Sequence, residues 1–201
     1  MFTYDHYIKT CLRYKEEGYV FKSLNENKKG KSIWMVHDCD LFLENSLEMA
    51  TIENKEGIFS TFFVRLGARS YNPFNKYYLN IIEEIIRLGH DVGLHYERVF
   101  ISETVEKDVK RQINLFKNLL NKKIVNFNIH EPTREKIDIS KILPEVNRCY
   151  NSDYFKNVKY ISDSGARWRE GCFSSHINSY EKILVSTHPT WWSKTSAREN
   201  Y

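Results

Sequence analysis

Apolar runs that end abruptly in carboxylates or histidines, separated by amphipathic stretches closed by glycine, recur through most of this chain. Residues 32–37 read as a strand buried on both faces, and Asp38-Cys-Asp40 follows at its C-terminal end. A helical stretch over 41–56 stops at Gly57, and 58–64, rich in aromatic and β-branched residues, reads as a second buried strand. The unit then repeats as helix 76–88 closed by Gly89, strand 91–95, helix 103–120 and strand 124–129. Short strands are expected at 160–162 and 182–187, and 137–143 is ambiguous. Ahead of the repeat, residues 4–17 carry Tyr7, Ile8, Cys11, Leu12 and Tyr14 at near-helical spacing, with Gly18 as a stop. Such alternation predicts an α/β fold, a parallel sheet or barrel with helices outside.

In parallel α/β folds, ligands bind beyond the carboxyl ends of the strands. Asp38, Asp40, His95, His130, Asp163 and His188 all fall at such positions. Histidines and carboxylates are what a divalent metal and an activated water need. One carboxylate and two histidines hold zinc with an open position, leaving the second aspartate and the last histidine as general base and acid. Each histidine taken alone is more simply a structural residue; their shared strand-end placement favours one site.

Length and charge narrow the field. The 201 residues fit a single domain, with an N-terminal helix and basic turn over 1–30 and the barrel over 31–201. The 30 basic and 26 acidic residues are interleaved, and the Lys28-Lys29-Gly30-Lys31 cluster reads as a solvated turn, so nucleic acid is not an expected partner. No run is long and apolar enough for a membrane span, and residues 1–13 lack the apolar core of a secretory signal. Four scattered cysteines without a CxxC pair suit a reducing compartment, and the expected location is the cytoplasm. The oligomeric state is left open.

The motifs also resemble, in order, those of the polysaccharide deacetylases with the oligosaccharide-deacetylase homology domain. His37-Asp-Cys-Asp40, with the helix and strand after it, is similar to the family's first motif, and Gly89-His-Asp-Val-Gly-Leu-His95 to its second. Thr187-His188-Pro189 is similar to the last. Ile129-His130-Glu-Pro132 and Ile161-Ser-Asp-Ser-Gly165 lie between them, as in a divergent branch with an HDxD first motif. The resemblance implies a distorted (β/α) barrel, a divalent metal that is usually zinc, and hydrolytic removal of an acetyl or other small acyl group from a sugar or oligosaccharide. It also implies Asp40 and His95 as metal ligands, Asp38 as base and His188 as acid.

Two departures bear on the site. Cys39 separates aspartates that are adjacent in the family, but alternate residues of a strand share a face, so both carboxylates still reach one place and Cys39 points away. Val99 stands where the family has another ligand, four residues after the second-motif histidine, and His130 is the expected replacement.

Arg167, Trp168 and Asp163 are the expected substrate contacts, although Trp168 reads equally as a core residue beside solvated arginines. Of Trp191 and Trp192, one is expected to close the barrel; Glu53 is expected to be solvated or ion-paired. The expected function is a metal-dependent deacetylase of a precursor in surface polysaccharide synthesis. The alternatives are a noncatalytic carbohydrate-binding protein and a hydrolase of a non-sugar amide.

Overall fold

The computed structural model describes residues 2–26, 29–131 and 157–195, together with Ile142 and the backbone of 147–148. Helix α1 (Tyr4–Glu16) starts at Thr3, whose side chain accepts from the His6 amide, and buries Tyr4, Tyr7, Cys11 and Tyr14 on one stripe. Then follow β1 (Val20–Phe21), β2 (Ser32–Cys39), α2 (Leu43–Lys55), β3 (Thr61–Val64), α3 (Lys76–Arg87) and β4 (Asp91–Tyr96). The second half contributes α4 (Val105–Leu120), β5 (Asn126–Ile129), β6 (Asn147–Arg148), β7 (Lys159–Ser162) and β8 (Lys182–Thr187).

Every ladder between these strands is parallel, in the order β6-β5-β4-β3-β2-β8-β7, with β1 also on β2. Among the described residues β6 and β7 do not pair, so the sheet curls into an open half-barrel, the distorted (β/α) barrel expected from the motifs. All eight residues of β2 are buried, as a strand covered on both faces requires.

The alternation of side chains along β2 divides the core. Ile33, Met35 and Cys39 join the large cluster under the helices, whereas Trp34 and Val36 join Leu24, Phe63 and Leu184 in a small cluster on the concave face. Gly93 lies on that concave face, where a Cβ would stand 2.6 Å from the Phe63 ring and 2.7 Å from the Asn126 carbonyl oxygen. Only glycine lets β4 pass there.

The repeat is reproduced with small shifts. The second strand begins at Thr61, three residues later than expected, because 58–60 approach the sheet as irregular chain. The two-residue strands β1 and β6 had no signal, being shorter than any period can reveal. The ambiguous stretch 137–143 lies, apart from Ile142, outside the described residues.

Candidate metal-centred active site

The parity that sends Trp34 and Val36 to the concave face sends Asp38 there too, and Asp40 one step beyond the strand. His95 occupies the same face of β4, and His130 follows β5 with its amide bonded to the Tyr96 carbonyl at 2.8 Å. His188 follows β8. Five side chains from four strands thus line one cavity of about 750 Å³ at the carboxyl end of the sheet.

Three ligand-type atoms meet within it. Asp40 Oδ1 lies 3.3 Å from His95 Nε2 and 3.2 Å from His130 Nδ1, and the two ring nitrogens are 3.3 Å apart. Ligand atoms set about 2.1 Å from a tetrahedral zinc stand about 3.4 Å from one another, so the triangle has the size of one face of such a polyhedron. Among the described residues, Asp40 Oδ1 is buried without a hydrogen-bond partner. A carboxylate oxygen and two imidazole nitrogens converging at these distances are a donor set suited to a divalent cation.

Asp38 stands beside the triangle, nearly inaccessible and oriented at both oxygens. Its Oδ1 accepts from the Asn128 side-chain amide at 2.7 Å and its Oδ2 from the Ser186 hydroxyl at 3.1 Å. Across the cavity, His188 Nε2 is 3.9 Å from Asp38 Oδ2 and 3.7 Å from Asp40 Oδ2. Its Nδ1 bonds Asp163 at 2.7 Å. Burial on its own would discharge this ring, but the Asp163 hydrogen bond and the nearby Asp38 charge outweigh it and raise its pKa to about 9.

The expected substrate contacts are placed differently. Asp163 is fully buried, and its carboxylate accepts from His188 and from the Trp192 indole N–H at 2.9 Å, so it faces the histidine and does not line the cavity. Trp168 stands half-buried in an aromatic group with Phe2, Phe173 and Trp192, packed against the core cluster. Neither Trp168 nor Arg167 lines the cavity; Arg169, Tyr160 and Trp191 do. Trp191 thus walls the site while Trp192 closes the core.

Three further expectations resolve clearly. Glu53 is wholly buried and accepts from Tyr7 Oη, from His37 Nε2 at 3.0 Å and from Ser60 Oγ at 2.6 Å. Cys39 points into the helix-side core, as its parity required. Val99 sits on a loop tied to the buried Asp108, which accepts from its amide at 3.2 Å, and 38% of its surface is exposed.

Asn128, Ser186 and Arg65 escaped the sequence reading. Asn128 and Ser186 lie two residues before His130 and His188, so the period-2 rule pointed at them; nothing local marked Arg65.

No family model matches the sequence, and no curated protein matches it closely. Among solved structures it is similar to a CE4 family pseudoenzyme from Bacillus anthracis, with TM-score 0.53 and 13% identity over 86% of this chain and 59% of that one. A mutant of that pseudoenzyme with restored enzymatic activity matches with TM-score 0.53 and 12% identity, over 86% and 61% of the two chains. The Streptococcus pyogenes deacetylase PplD matches with TM-score 0.52 and 14% identity, over 90% and 79%. The chain spans about six-tenths of the pseudoenzyme's length. At such identities the likeness carries the fold, and the fold is that of these CE4 proteins.

Proposed function

We propose that this chain is a metal-dependent hydrolase that removes an acetyl or other small acyl group from a sugar or sugar-containing precursor. The observation that carries the reading is the triangle of Asp40, His95 and His130 ligand atoms, 3.2–3.3 Å on each side, with Asp38 and His188 beside it in one cavity. A divalent ion, zinc by donor type, would be held by those three residues and would supply Lewis acidity toward water and the acyl carbonyl.

The rest of the chemistry belongs to the chain. Asp38, held as an acceptor by Asn128 and Ser186, takes a proton from the attacking water as its oxygen bonds to the acyl carbon. His188, kept protonated at neutral pH by Asp163, gives the Nε2 proton to the leaving amine or alcohol as the carbon–heteroatom bond breaks. The products are the free acid and the deacylated sugar. Trp191 and Tyr160, both more than a third exposed on the cavity wall, offer apolar faces on which a pyranose ring stacks.

The pseudoenzyme among its structural neighbours, and Val99 in place of a ligand, favour a second reading as a carbohydrate-binding protein without activity. Elemental analysis of protein purified without chelator separates the two, followed by acetate release from acetylated sugars and sugar nucleotides. About one zinc per chain, lost in His130→Ala, with acetate release abolished by Asp38→Asn, is the expected result. A folded wild type that refuses added zinc leaves the binding reading in its place.

No helix among the described residues is long and apolar enough to cross a membrane. We place the protein in the cytoplasm, in line with the unpaired thiols of Cys11, Cys39 and Cys172.

A further inference from the structure

We propose that Arg65, clamped by Glu97, positions the metal-binding oxygen of Asp40 and so sets how tightly the centre holds its ion. The inference rests on the metal-centre reading above. Arg65 follows β3 and is 8% exposed, a degree of burial at which an arginine must be paired. Its Nε donates to Glu97 Oε1 at 3.1 Å and its Nη2 to Glu97 Oε2, a two-pronged hold that fixes the guanidinium plane. The remaining nitrogen, Nη1, lies 3.5 Å from Asp40 Oδ1, the oxygen that also faces both histidines.

The clamp has a backbone requirement. A Cβ at Gly67 would stand 2.8 Å from Glu97 Oε1 and 3.1 Å from Val99 Cγ2, so Glu97 reaches Arg65 over a residue without a side chain. The Arg65 amide also donates to Tyr71 Oη at 2.9 Å, and that hydroxyl donates to the Cys39 carbonyl at 2.6 Å. Tyr71 thereby ties the end of β3 to the residue before Asp40.

The Asp40 carboxylate can turn about its last torsion, so the groups around its oxygens decide which one faces the histidines. Among the described ion pairs its second oxygen has His188 Nε2, at 3.7 Å. Arg65, a fixed cation, draws Oδ1 to the same side as His95 Nε2 and His130 Nδ1. Partners that orient a ligating carboxylate typically change metal affinity by about 10–100-fold when removed. Arg65 acts through Asp40 and is a positioning residue, without contact to a reacting group.

The test is zinc affinity of the full-length protein, measured by competition with a chromophoric chelator, for wild type, Arg65→Gln, Arg65→Lys, Glu97→Gln and Gly67→Ala. Arg87→Gln, which removes an exposed ion pair on α3, is the control. Arg65→Gln is expected to weaken zinc binding by about 10–100-fold. Lysine, which cannot grip Glu97 with two nitrogens while facing Asp40, should recover only part of the loss. Glu97→Gln and Gly67→Ala should give smaller losses, and the control none. The cobalt(II) form gives a second readout, because a turned Asp40 alters the visible absorption of the bound ion even at saturation.

Should Arg65→Gln fail to fold, judged by thermal unfolding without metal, Glu97→Gln and Arg65→Lys carry the test. Unchanged or tighter zinc binding with an unchanged cobalt spectrum overturns the role of Arg65 and leaves the metal centre standing. Wild type that takes up no zinc overturns the centre itself, and this inference with it.

Discussion

Asp163 grips His188 at two points: the imidazole Nδ1 lies 2.7 Å from its Oδ1, and the His188 amide donates to the same oxygen at 2.9 Å. The Trp192 indole N–H donates to the other oxygen at 2.9 Å, so ring, backbone and the following segment are all tied to one carboxylate. Asp163→Asn removes the charge while keeping the shape. The His188 pKa then falls from about 9 toward its ordinary 6.5, and the alkaline limb of the kcat/KM profile should move to lower pH. The same shift has a stability consequence. A histidine whose pKa is raised in the folded state stabilises fully below about 6.5 and loses that contribution as pH climbs through about 9. Alkaline destabilisation over that window should be smaller in Asp163→Asn, as read by urea unfolding at several pH values.

His130→Ala should lose zinc, and adding Val99→His should not restore it. The Val99 amide is held by Asp108, which also accepts from Tyr96 Oη at 3.0 Å and Gln112 Nε2 at 2.9 Å, so its loop is pinned, and Val99 does not line the cavity. Elemental analysis of the single and double variants decides this; zinc returning in the double variant would mean the loop is freer than these bonds imply.

Glu53→Ala should cost about 3–5 kcal/mol of stability, because it strands the partners of a buried charge. His37 Nε2, Ser60 Oγ and Tyr7 Oη all lose their acceptor inside the core. Burial alone would raise the Glu53 carboxyl, but the charges and hydrogen bonds of His37 and its neighbours hold it below 4.5. Its stabilisation is therefore complete above about pH 4.5 and declines as the solution is acidified through its lowered pKa. Denaturant titrations of wild type and variant at neutral and acid pH check both statements.

The adjacent tryptophans should behave oppositely. Trp191→Ala, on the cavity wall and 37% exposed, is expected to raise KM about tenfold with little change in kcat or melting temperature. Trp192→Ala, 1% exposed and packed on Phe2 and Tyr7, is expected to lose about 3–5 kcal/mol of stability. Steady-state kinetics beside thermal melts separate the two effects.

Much of this was legible in residue order. Strand ends at Asp38, His95, His130 and His188 follow from apolar runs and glycine stops, and the period of two carries Asp38 and Asp40 to one face with Cys39 on the other. The reading of residues 163–169 fared differently. Asp163, Arg167 and Trp168 had the right chemistry for a sugar contact, but loop residues have no period to say which way they point. Packing turned Asp163 and Trp168 inward, leaving Arg169 on the cavity wall.

What the sequence determined by itself, then, is the parallel α/β architecture and the candidates that cap its strands, since both follow from local periodicity and from the chirality of strand–helix–strand connections. Tertiary structure alone decided that Asp40, His95 and His130 bring three atoms within 3.3 Å, that Asp163 serves His188, and that Glu97 holds Arg65 beside Asp40. These contacts join residues 25 to 90 positions apart. Their distances depend on sheet curl, strand register and side-chain packing, none of which any short stretch of sequence encodes.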